Sequence, residues 1–146
     1  MTIQQTDLQL TNLDNYSDLM ILPELIEDEQ NIYVASTVSF YKFAKKFINI
    51  NYVKEPNIVL EQRSIEWFGP TLLFTTAALA QNPELVSIAL NVLSNYISDY
   101  FKGHKEPNVK LNIIVQKSKT EYSNFMYEGP KDGLIEIEKV IESLKK

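Results

Sequence analysis

Apolar positions recur every three or four residues through the middle of the chain, and residues 67–101 are its most hydrophobic stretch. Gly69-Pro70 opens it, because proline at a first helical position has its φ already set and needs no N–H. Leu72, Leu73, Phe74, Ala77, Ala78, Leu79 and Ala80 then predict a short apolar helix. Asn82-Pro83 interrupts it: Asn82 is a good N-cap, and Pro83 biases it away from helical angles. A second helix is expected from Pro83 to about Phe101, ended by Gly103 and blocked by Pro107. Of its residues 85–101, 11 of 17 are apolar. The polar ones, among them Ser87, Asn91, Ser94 and Ser98, form a narrow stripe, so the helix is expected to be covered on more than one side.

The flanks read as alternating strands and shorter helices. Residues 1–17 are polar and mixed, either a weak strand over Ile3, Leu8 and Leu10 or a flexible terminus. Asp18 to Ile26 reads as a strand that Pro23 demotes to an edge or bulge. Ile32-Tyr33-Val34 follows as strand, then a helix over 38–48 capped by Ser36 or Thr37, with Phe40, Phe43, Ala44 and Phe47 inward and Lys42, Lys45 and Lys46 outward. Residues 56–68 read as one strand with a polar, bulged portion over 61–66, and Trp67, where strand meets helix, is expected to anchor that corner or to present a contact residue. Residues 109–117 alternate cleanly and 121–127 return, which predicts a hairpin. The closing helix puts Leu134, Ile137, Val140, Ile141 and Leu144 on one stripe. The expected fold is α+β: a two-layer sandwich with a sheet of about four strands, helices mainly on one face and the central helix buried, as a single domain over 18–146.

Composition narrows the function classes. At 146 residues the chain is long enough for a core, and 45% hydrophobic with 23% charged residues is ordinary for a globular domain. The net charge of −5 disfavours nucleic acid as a partner. The absence of cysteine excludes disulfides, thiolate catalysis and cysteine-based zinc sites. Residues 1–10 hold no basic segment followed by an apolar run, so a cytoplasmic protein is expected. Residues 67–83 lack charge but are too broken by polar residues and prolines for a membrane span.

Candidate chemistry is sparse. Glu24, Glu27, Asp28 and Glu29 cluster, but their spacing does not match a calcium loop, and a basic partner is the better expectation for them. His104 is the single histidine, just past a helix end. Glu61 and Glu66 stand an odd number apart, on opposite faces of a strand. No catalytic, cofactor-binding or metal residues are assigned. The leading expectation is a non-enzymatic protein-interaction module, with another protein or a second copy of itself as partner. Glu24, Glu27, Asp28, Glu29, Trp67, Ser87, Asn91 and Ser94 are its candidate contact residues. An immunity or antitoxin-like inhibitor using the acidic loop is the second reading, and an enzyme with an unrecognised site the third.

The order of an apolar helix over 83–101, a hairpin over 109–117 and 121–127, and a short helix over 134–144 resembles the effector-associated adaptor domains of bacterial conflict and defence systems. The resemblance covers about 60 residues and rests on element order. It implies non-catalytic coupling of a sensor or protease to an effector.

Overall fold

The computed structural model of the chain describes residues 2–9, 17–61, 67–100, 102–103 and 108–144. In chain order the elements are β1 (Thr2–Gln9), β2 (Leu19–Leu22), β3 (Leu25–Glu27), β4 (Gln30–Val34), α1 (Ala35–Ala44), β5 (Ile50–Tyr52), β6 (Ile58–Leu60), β7 (Trp67–Phe68), β8 (Thr71–Phe74), α2 (Thr76–Gln81), α3 (Leu85–Tyr100), β9 (Asn108–Gln116), β10 (Glu121–Gly129) and α4 (Leu134–Leu144). The class is α+β. The expected sheet of about four strands is larger: a seven-stranded sheet runs β1-β10-β9-β8-β2-β5, with β7 also on β9, and a separate sheet runs β3-β4-β6.

Connections explain where the helices lie. β8 and β9 are parallel, as are β2 and β5. Parallel neighbours need a crossover, and α2–α3 and α1 supply the two. One face of the main sheet offers Leu19, Ile21, Leu72, Phe74, Val109, Leu111, Ile113, Val115, Phe125 and Tyr127 to a core completed by all four helices. The opposite face carries a smaller cluster of Met20, Leu73, Ile114 and Tyr122.

The central helix is buried as expected, and its cover is internal. α3 buries Leu85, Val86, Ala89, Leu90, Val92, Leu93, Tyr96 and Ile97. It packs against α1 on one side and α4 on the other. Asn82 caps the approach, its side-chain oxygen accepting the Glu84 N–H at 3.1 Å.

Three local expectations are corrected. Residues 71–74 form the buried strand β8, not the start of a helix; the helix begins after Thr75, whose hydroxyl accepts the Ala78 N–H at 3.1 Å. A four-residue apolar run suits a buried strand as well as a helix, and pairing with both β2 and β9 decides it. Pro23 does not mark an edge strand in the main sheet. It separates β2, which lies inside that sheet, from β3, which belongs to the small one. Residues 56–68 likewise divide between β6 and β7, in different sheets. Of the two readings of the N-terminal segment, the strand holds for residues 2–9: all eight pair with β10, and Ile3 packs on the core.

Gly69 has a positional reason. β7 and β8 lie end to end along β9, and a Cβ on Gly69 would sit 1.6 Å from the Lys110 carbonyl oxygen. Among the described residues no helix is long and apolar enough to cross a membrane.

Candidate functional site

The small sheet is where apolar surface remains uncovered. Nine large hydrophobic residues are exposed among those described, and five of them are Leu25, Ile26, Ile58, Val59 and Leu60. Each is between 39% and 57% exposed. Strand pairing sorts them by face. Leu25, Ile32 and Ile58 form one row across the three strands, with Val34 and Leu60 beside it. Tyr33 points the other way, into the core. Ile32 is buried, so the outer face has a packed centre and an open apolar rim.

Three contacts hold this sheet on the domain. Tyr33 meets Tyr52 edge-on at 4.9 Å between ring centroids, and Tyr52 stacks on Tyr41 at 4.2 Å. The Tyr33 hydroxyl donates to the Lys54 carbonyl at 2.5 Å. Glu24 supplies the third contact. Its carboxylate accepts the Val34 N–H at 3.2 Å and the Thr37 hydroxyl, and so closes the start of α1. Ser36 and Thr37, expected as caps, lie inside the helix and are buried; Val34 is the N-cap and provides no side-chain bond. Burial pushes the Glu24 carboxyl above its ordinary value, against the pull of its hydrogen bonds to Thr37 and the backbone. Desolvation likewise raises Tyr33, and it lifts Tyr52 to about 12.

β6 is fixed to β4 by an asparagine pair. Asn57 accepts the Asn31 N–H on its side chain at 2.8 Å and donates its own N–H to the Asn31 carbonyl at 2.9 Å. β3 and β6 are the two outer strands, each with one backbone side that pairs with no described strand.

The β3–β4 hairpin turns through two residues, Asp28 and Glu29, at φ of 51° and 62°. Two consecutive positive φ values belong to the tight turn that usually selects Asn-Gly. Here it carries two carboxylates. Across 24–34 and 54–61 there are six carboxylates and one lysine, Lys54.

The sequence candidates therefore separate. Glu27, Asp28 and Glu29 come together, exposed, at the hairpin. Glu24 is turned inward and serves the β4–α1 junction. Trp67 pairs with Asn108 in the main sheet; its side chain lies outside the described residues. Ser87, Asn91 and Ser94 sit on the outer stripe of α3, half-buried or exposed, on a different element from the hairpin. Ser98 of the same stripe accepts the Lys131 ammonium at 2.7 Å. His104 and Glu66 lie outside the described residues. Among those described, no three histidines or carboxylates converge as metal ligands.

Two open clefts flank the end of α1. One, of about 440 Å³, lies between Lys45 to Asn49 and Gln81, Asn82, Leu85 and Ile88. The other, of about 530 Å³, lies between α1 and α3, lined by Lys42, Phe43, Lys46, Tyr96, Asp99 and Tyr100. Sequence reasoning saw the lysines and aromatics of α1 as a solvated face beside a core face. The partners across the groove, on α3, are what turned them into one surface.

No protein-family model, no curated protein and no solved structure matches the chain.

Proposed function

We propose that the protein is a non-enzymatic protein-interaction module, and that its docking surface is the small sheet. The partner adds an extended, lysine- or arginine-flanked segment to the edge of β6 that pairs with no described strand. The observation that carries this is the concentration of exposed apolar side chains on two short outer strands. An exposed apolar edge strand is a ready template for pairing, and strand addition takes its affinity from the backbone and its specificity from alternate side chains.

Charge chooses the partner. The carboxylates of Glu27, Asp28, Glu29, Glu55 and Glu61 border the apolar rim on the sequence segments that build it. A second copy brought edge to edge would set this acidic region against itself, which is unfavourable. A basic segment is steered in and held. The acidic hairpin also favours the narrower reading of an inhibitor directed at a basic protein. The order α3, β9–β10 hairpin and α4 favours an adaptor of a bacterial defence system as its setting.

The test uses a synthetic peptide of alternating valine and threonine flanked by lysines, with a glutamate-flanked peptide as control. The lysine peptide should slow amide hydrogen exchange at Ile58–Leu60, and the effect should weaken as salt rises. Equal behaviour of the two peptides, no protection at β6, or a stable dimer by light scattering that buries β6 would overturn the proposal.

A further inference from the structure

The groove between α1 and α3 is independent of the small sheet and has a different chemistry. Phe47, Phe43, Tyr96 and Tyr100 form a continuous aromatic strip across the two helices. Phe47 lies 5.1 Å from Phe43, Phe43 5.5 Å from Tyr96, and Tyr96 stacks on Tyr100 at 5.1 Å with 24° between the rings. The two ends are open: Phe47 is 63% exposed and Tyr100 50%. Tyr96, in the middle, is buried and directs its hydroxyl to the Ser36 carbonyl at 3.4 Å.

Lysines border this strip. Lys42, Lys45 and Lys46 all line the groove and are exposed, against a single acid, Asp99. Among the described residues no carboxylate forms an ion pair with any of the three. Lys45 lies 5.5 Å from the centre of the Tyr41 ring, which leaves Lys42 and Lys46 to the groove. A cationic rim on an aromatic wall is unexpected in a chain of net charge −5.

We propose that this groove binds a small phosphorylated heteroaromatic molecule. The ring stacks on the aromatic strip at Tyr100 and Phe43. The phosphate is held by Lys42 and Lys46. Asp99, also on the groove wall, meets hydrogen-bonding groups on the ring edge, while the Ser39 hydroxyl is engaged by Tyr96. Aromatic faces accept any base, and lysines bind phosphate as point charges. The overall negative charge selects a mononucleotide-sized ligand over a nucleic-acid strand, whose further phosphates the acidic remainder repels. The concave shape between two helices suits such a molecule better than a flat lipid surface does.

The test titrates the protein with adenosine monophosphate, adenosine and inorganic phosphate, followed by calorimetry and by NMR. Adenosine monophosphate should saturate below about 1 mM, with ring shifts at Phe43 and Tyr100. Each half-molecule alone should bind at least about tenfold more weakly, as should the Tyr100→Ala variant, from loss of one stacking partner. Lys42→Gln with Lys46→Gln should abolish binding with little change in melting temperature, since both side chains are exposed. Phosphate binding as well as the nucleotide, an unaffected Tyr100→Ala, or no saturation would each overturn the assignment. So would capture by phosphatidylserine vesicles without nucleotide binding, which would make the strip a membrane contact.

Discussion

Replacing Asp28-Glu29 by Asn-Gly tests whether the hairpin carries a conformational cost. Both residues stand at positive φ, 51° and 62°. A left-handed backbone costs an ordinary L-residue about 1–2 kcal/mol, with Asp and Asn more tolerant. Relief therefore comes mainly at position 29. Glycine there also widens the unfolded ensemble, which offsets about 0.4–1 kcal/mol. Asp28→Asn adds a few tenths and thins the local carboxylates. The double variant should gain about 1 kcal/mol, read as a higher urea midpoint at unchanged slope. For 146 residues that corresponds to about 3 °C in Tm. Glu29→Gln is the control: it removes the charge and keeps the backbone, so it should gain no more than about 0.5 kcal/mol. The same double variant should bind the lysine-flanked peptide more weakly, because stability gained at a strained site commonly costs function. Stability that is unchanged or lower in the double variant would refute the reasoning. So would a gain matched by Glu29→Gln, which would make the effect one of charge.

Two further outcomes follow from single contacts. Gly69→Ala should lose at least about 3 kcal/mol in urea denaturation, because the new Cβ meets the Lys110 carbonyl oxygen at 1.6 Å and the Leu111 nitrogen at 2.9 Å, both backbone. Gly103→Ala, with φ of 83° but open space, should lose only about 1 kcal/mol, and equal losses would count against the clash. For Glu24, burial raises the folded pKa above the ordinary 4.5, so the folded chain holds that proton more tightly than the unfolded one. Its contribution is full below pH 4.5 and is lost as pH rises through the raised value. Stability of Glu24→Gln relative to wild type should therefore improve across that window; a flat difference would mean the carboxyl is not desolvated.

The strongly periodic parts of this fold were legible. In the β9–β10 hairpin burial alternates over 108–113 and 124–129, and α4 keeps its apolar stripe, so there local pattern and tertiary burial agree. Where they part, the sequence misleads. Thr71–Phe74 carries no alternation because both faces of β8 are buried. Thr2–Gln9 has little apolar content, and its place is set by backbone pairing to β10, which leaves no mark on composition. The β3–β4 hairpin left no signal because its turn is Asp-Glu, where hairpins normally declare themselves with Asn-Gly. Phe43 and the lysines of α1 were visible, but Tyr96 and Tyr100 reach them only through the packing of α1 on α3.

The apolar excess of the central helix is covered within the chain itself. α3 is enclosed by the sheet, α1 and α4, and its outer stripe is polar, with Ser98 already bonded to Lys131. Among the described residues it is β3 and β6 that leave side chains and backbone edges uncovered together. α1 joins the two candidate surfaces. Its first turn is bonded to Glu24 beside the small sheet, and its last turn reaches the lysine-rimmed groove, ten residues or about 15 Å along the axis. The Lys42 and Lys46 variants leave the Glu24–Thr37 bond and β6 untouched, and the hairpin variant leaves the groove untouched. Failure of peptide binding therefore says nothing against the groove, and failure of nucleotide binding leaves the small sheet to be judged by its own exchange protection.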